Sequence, residues 1–190
     1  MTQYRALPEE MQASKPASEH TVAAQQKMLA KLDFTDTRSF ENAARGFIAT
    51  LSPMRIEHDQ AARPVFDLSQ FDFLDQSAPD SVNPSLWRQA QLNAQHHGLF
   101  EVVDGIYQVR SFDIANMTLV RSDTGWIIID PLTSSESSRA ALQLANHHLG
   151  ERPVKAVIHT HSHADHFAGV LGVITAEQAQ SGDIKVLAPV

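Results

Sequence analysis

Between residues 99 and 130 short apolar-rich runs bounded by turn residues read as strands in quick succession. Leu99–Val103 and Ile106–Arg110 flank Asp104-Gly105, a pair that favours the positive-φ turn of a tight hairpin. Met117–Arg121 and Trp126–Asp130 flank a longer turn over 122–125. A helical stretch follows. Thr133-x-x-Glu136 reads as a capping box opening a helix to about His148, with Gly150 beyond it. A strand over Val154–His159, a short helix capped by Thr175-x-x-Gln178 and a last strand over Ile184–Ala188 complete this part. Asn83 and Pro84 start a helix that Gly98 ends.

The first 82 residues follow a different pattern. Residues 1–20 read as a flexible arm, and 21–32 and about 38–49 as helices. Residues 52–82 carry Pro53, Pro64 and Pro79, show no sustained period, and read as a long irregular segment. The expected division is an arm over 1–20, a helical and irregular extension over 21–82, and an ordered part over 83–190. The extension is expected to pack poorly on the sheet. The ordered part has antiparallel strands followed by strand-helix-strand. That pattern predicts an α+β fold with a mixed, largely antiparallel sheet and a helix layer.

Composition narrows the functions. A net charge of −7 without a basic run argues against nucleic acid, and no apolar run approaches transmembrane length. Residues 1–20 lack the apolar stretch of a secretory signal, which favours the cytoplasm over the periplasm. There is no cysteine, so a thiolate ligand is excluded.

The candidate chemistry lies in one stretch. Four of the ten histidines fall in His159-Thr160-His161-Ser162-His163-Ala164-Asp165-His166, directly after an apolar strand. His161 and His163 are two apart, so in extended chain their rings point to one side and can reach one cation. Asp165 and His166 follow a turn and can reach a second. Imidazole and carboxylate without thiolate suit zinc, iron or manganese. Two such ions about 3.5–4 Å apart support hydrolysis. His159 lies on the strand itself and reads as a packed or supporting residue. His96-His97 and His147-His148 sit near helix ends, where dipole contacts or plain solvation account for them.

A catalytic zinc keeps three protein ligands and an open position, so two ions call for about six. The cluster offers His161, His163, Asp165 and His166. After His166 only Glu177 and Asp183 are acidic, and no histidine follows. The site reads as incomplete within these 190 residues, and the chain as ending in mid-domain.

The motif His-x-His-x-Asp-His resembles that of the metallo-β-lactamase superfamily. Three further stretches, Asn83–Asn93, Gly98–Arg110 and Phe112–Thr118, together with Thr160–Phe167, resemble the alkylsulfatases of that superfamily in their N-terminal portion. Ala168 and His159 depart from the family, which more usually has glycine and tyrosine there. The resemblance implies the first half of an αββα sandwich and two zinc ions. It implies that His161 and His163 hold the first ion, that Asp165 and His166 hold the second, and that Asp130 supports the site without being a main ligand. It implies hydrolysis of alkyl sulfate esters such as dodecyl sulfate, hence detergent degradation, in a homodimer without membrane insertion. The remaining ligands and a general acid are expected beyond residue 190, so no catalytic acid is assigned here. The alternatives are another hydrolase of this fold, a lactonase or thioesterase, or an inactive metal-binding or dimerising fragment.

Overall fold

The computed structural model describes residues 15–189. The arm expected over 1–20 lies outside the described residues up to residue 14. Helix α1 (Glu19–Leu29) begins two residues earlier than the pattern predicts, because the Ser18 hydroxyl accepts from the Thr21 backbone N–H. It buries none of its residues. Helix α2 spans Arg38–Ala44, and strand β1 spans Phe47–Ala49. The single helix expected over 38–49 is thus corrected. Gly46 takes a positive φ of 74°, and a Cβ there would stand 2.0 Å from the Glu101 carbonyl oxygen. Only glycine allows the chain to turn there and lie against strand β4 (Gly98–Val103).

The stretch 52–82 is also more regular than expected. It holds an antiparallel hairpin of β2 (Arg55–Glu57) and β3 (Pro64–Asp67), followed by a 3-10 segment over Leu68–Asp75. Helix α3 (Pro84–Gln95) starts at Asn83, whose side chain accepts from the Ser85 N–H. It binds the preceding chain through Trp87 Nε1 on the Gln76 carbonyl and Gln91 Nε2 on the Leu74 carbonyl. The short strands lacked a sequence signal because each is only three or four residues long.

Strands β4, β5 (Ile106–Arg110), β6 (Met117–Arg121) and β7 (Trp126–Ile129) form an antiparallel meander. Helix α4 (Ser135–Leu149) then crosses to β8 (Val154–Ile158), which lies parallel to β7. Helix α5 (Ala176–Ser181) leads to β9 (Lys185–Leu187), parallel to β8. The sheet has seven strands in the order β1-β4-β5-β6-β7-β8-β9. This is an α+β fold with a mixed, largely antiparallel sheet, as the pattern predicted. The cap of α4 is Ser134, which accepts from the Ser137 N–H; Thr133 gives its own N–H to Asp113. The capping box expected at Thr133 is therefore not formed, whereas the one at Thr175 and Gln178 is.

One sheet face packs on α4. Leu99, Val109, Met117, Leu119, Ile128 and Val157 meet Ala141, Leu144 and Ala145. Met54 and Ile56 join the same core, with Phe66 and Leu68 packed against it. The expectation that the extension packs poorly is overturned for residues 47–74, since β1 completes the sheet and β2 seals the core. It describes α1, which buries nothing. No helix of the described residues is long and apolar enough to cross a membrane.

Candidate metal centre

Strand β8 ends at Ile158, and the histidine loop follows at the C-terminal ends of the parallel strands β7 and β8. Ligands of open α/β sheets bind at such ends. Asp130 follows β7 directly. It is buried and adopts a φ of 55°, as does Leu132 at 63°. Asp tolerates this left-handed backbone better than most residues. The turn aims its carboxylate across to the loop after β8.

There Asp130 organises three partners. Its Oδ1 accepts the Thr160 N–H at 2.8 Å, and its Oδ2 accepts the Thr160 hydroxyl at 2.6 Å. Oδ2 also stands 2.8 Å from His166 Nδ1. Burial pushes the Asp130 carboxyl up, but the hydrogen bonds from Thr160 and His166 outweigh it and hold the carboxyl below the usual range.

These contacts fix the protons on the rings. Thr160 gives its hydroxyl proton to Asp130, so its 2.9 Å contact with His161 Nδ1 runs from the ring N–H to the hydroxyl oxygen. His161 Nε2 is therefore left with a lone pair. His163 Nδ1 stands 3.1 Å from His161 Nε2 and donates to it. Likewise His166 donates through Nδ1 to Asp130, and its Nε2 stands 3.2 Å from Asp165 Oδ2. A carboxylate fixing the far nitrogen of an imidazole is the usual support of a metal-ligating histidine.

The four residues come together. The His161 ring centre lies 4.7 Å from that of His163 and 4.1 Å from that of His166. His161 and His163 are exposed; Asp165 and His166, in a 3-10 turn over Ala164–His166, are half-buried. Their donor types fit a divalent cation. Among the described residues no group of three His, Asp or Glu side chains already has the spacing to hold an ion. The His161–His163 hydrogen bond draws together nitrogens that an ion would have to part.

His159 lies beside the cluster with a structural task. Its Nδ1 donates to the His166 carbonyl at 3.1 Å, and its ring meets Phe167 edge-on. His147 and His148 sit in the last turn of α4, as expected. His96 and His97 are corrected, because neither is simply solvated. His97 Nδ1 bonds Thr50 Oγ1 at 2.7 Å, and His96 Nε2 is buried without a partner.

Two supports escaped sequence reasoning. Gly169 packs so closely that a Cβ would meet the Pro131 carbonyl oxygen at 2.2 Å, and its N–H donates to the Leu132 carbonyl. Asp113, on the β5–β6 loop, accepts the N–H of Ala115 at 2.9 Å and that of Thr133 at 2.7 Å. Both residues tie the chain near the cluster to the turn that carries Asp130. The glycine was visible in the sequence, but the backbone it would meet is 35 to 38 residues earlier.

Residues 110–185 match the metallo-β-lactamase superfamily model. A linear primary-alkylsulfatase of Pseudomonas sp is 46% identical over 94% of this chain and 26% of its own length. An alkyl/aryl-sulfatase of Saccharomyces cerevisiae is 42% identical over 93% of this chain and 27% of its own. The solved structure of a stereoselective inverting sec-alkylsulfatase from Pseudomonas sp superposes with a TM-score of 0.82 at 46% identity, over 92% of this chain and 27% of that one. The chain thus spans about a quarter of the length of these relatives. By sequence and by fold, it matches the N-terminal portion of the alkylsulfatases of the metallo-β-lactamase superfamily.

Proposed function

We propose that the chain supplies part of a binuclear zinc site that hydrolyses alkyl sulfate esters, such as dodecyl sulfate, to alcohol and sulfate. The observation that carries this is the gathering of His161, His163, Asp165 and His166, with Nδ1 of His161 held by Thr160 and Nδ1 of His166 by Asp130. His161 and His163 would hold one ion, and Asp165 and His166 the other. Such ions supply Lewis-acid stabilisation of charge on the ester's sulfate oxygens. The chain's own part is positional. Asp130 orients His166 and Thr160, Thr160 orients His161, and His159 braces the turn that carries Asp165 and His166.

Residues 83–190 are read as the first half of a metallo-β-lactamase-like domain, with 21–82 as an extension on it. The remaining ligands and the general acid belong to the part of the relatives' length that this chain does not span. A homodimer acting in detergent degradation is the corresponding physiological reading. The test is turnover by a full-length protein that contains this chain. It should release sulfate from dodecyl sulfate, lose activity with a chelator, and regain it with zinc. Turnover of lactones or thioesters, with alkyl sulfates untouched, would replace the reading by another hydrolase of this fold.

A further inference from the structure

The 3-10 segment over Leu68–Asp75 and the first turn of α3 carry a row of aromatic rings. Phe66, Phe71, Phe73 and Trp87 follow one another with ring centroids 6.4, 6.3 and 5.8 Å apart. Phe71 is 42% exposed, Phe73 50%, and Leu86, next to Trp87, 62%. Single exposed apolar residues are ordinary on a protein surface, whereas a contiguous group of them marks a contact site.

The row is set in charge of one sign. Between Leu68 and Trp87 the chain carries Asp72, Asp75 and Asp80 and no lysine, arginine or histidine. Among the described residues none of these three carboxylates has a cationic partner, whereas Asp67, just before them, is paired with Arg55. Arg88, one residue beyond, is engaged by the Phe34 and Phe40 rings and by the carbonyls of Phe34 and Asp36. A groove of about 480 Å³ lies alongside, between the 3-10 segment and α3. Phe40, Phe71 and Leu74 give it apolar walls, Asp72 and Asp75 line it too, and no lysine or arginine does.

A carboxylate beside an aromatic face favours a guanidinium or ammonium group, which is drawn to both. Exposed rings in a row favour apolar side chains spaced along a polypeptide over a lone ion. A second copy of the chain would bring the same net charge of −7 to an acidic face, and like charges facing each other oppose docking. The complement of this surface is a segment that is basic and apolar at once.

We propose that this face docks a basic, amphipathic segment of a different polypeptide, with its arginine or lysine side chains in the groove against Asp72 and Asp75 and its apolar ones on Phe73 and Trp87. The contact uses no residue of the histidine cluster, so it stands separately from the hydrolytic reading.

The experiment reads Trp87. The chain has two tryptophans, and Trp126 is fully buried, so a change in emission on adding a tryptophan-free peptide reports the face around Trp87. A peptide of about 14 residues, with leucine and arginine at helical spacing, should bind saturably at one per chain. Raising the salt from about 50 to about 500 mM should weaken binding about tenfold. The double change Asp72→Asn and Asp75→Asn should weaken it about tenfold, and Phe73→Ser about as much. All three side chains are exposed, so these variants should keep the fold. Asp104→Asn with Asp123→Asn removes as much charge from exposed turns of the meander and should leave the affinity nearly unchanged. Equal binding of the peptide with glutamate in place of arginine, or with glutamine in place of leucine, would overturn the proposal. So would a loss in the meander pair as large as in the groove pair. A full-length protein containing this chain should bind the peptide equally well. Loss of binding there would mean that the face is covered from within the protein, and a dimer in sedimentation that Phe73→Ser disperses would give the face to a second copy. Either result overturns the proposal.

Discussion

Asp130 Oδ2 lies 2.8 Å from His166 Nδ1 and accepts the Thr160 hydroxyl at 2.6 Å. One oxygen thus sets two neighbouring ring orientations, that of His166 directly and that of His161 through Thr160. Asp130→Asn replaces one acceptor oxygen by an amide that donates instead. Zinc affinity, read by competition with a chromophoric chelator, should fall about 10- to 100-fold. An unchanged affinity would mean that the rings find their orientation without Asp130.

Gly169 makes a second, purely steric prediction. A methyl group there meets the backbone oxygens of Pro131 at 2.2 Å and Ser134 at 2.6 Å. Those atoms belong to the turn after β7 and cannot swing away as a side-chain tip can. Gly169→Ala should cost about 1–3 kcal/mol in urea unfolding. It should also lower metal affinity, since the same clamp holds the histidine loop to the Asp130 turn.

The metal-free chain should lose stability in acid through Asp130. Its carboxyl is held below the usual range, so its contribution is present above the unfolded carboxylate pKa near 3.9 and is lost as pH falls through the lower folded value. Asp113 has the opposite sign. Burial raises its pKa despite the two N–H donors, so its ionised form disfavours folding above the usual range. Melting temperatures measured from pH 6 down to pH 2, with chelator present, should therefore fall less steeply in Asp130→Asn than in the parent. An equally steep fall would assign the acid loss to other groups.

The meander and the α4–β8 unit were legible in the sequence because turn and cap residues bound each apolar run. The Asp104-Gly105 turn and the capping box at Thr175 are local signals, and both formed. What escaped was set by distant partners. Phe47–Ala49 follows a helix and looks like its continuation, yet Gly46 and β4 make it a strand. Thr133 has the right residue three positions on for a capping box, yet its N–H is taken by Asp113, 20 residues earlier. The four clustered site residues could be read from spacing alone, and Asp130 from the resemblance. Thr160 as the link between Asp130 and His161 required the fold.

Strand β9 closes one side of the sheet with all three residues exposed, among them Val186 at 43% and Leu187 at 52%. Among the described residues its outer edge is unpaired, and an apolar edge templates pairing with other chains. Leu187→Lys should reduce light scattering by the concentrated chain and leave its melting temperature nearly unchanged. Scattering unaffected by that change would locate self-association elsewhere.

The central claim, that His161, His163, Asp165 and His166 together bind divalent ions, is tested most directly by cobalt titration of the chain in visible absorbance. Two ligands per ion fall short of the usual three, so binding should be weak but should produce the d–d bands of a nitrogen- and oxygen-ligated ion. His163→Ala should abolish those bands. His159→Tyr should leave them nearly intact, because that ring only braces the His166 carbonyl and Phe167. Bands that survive in His163→Ala and disappear in His159→Tyr would contradict the account.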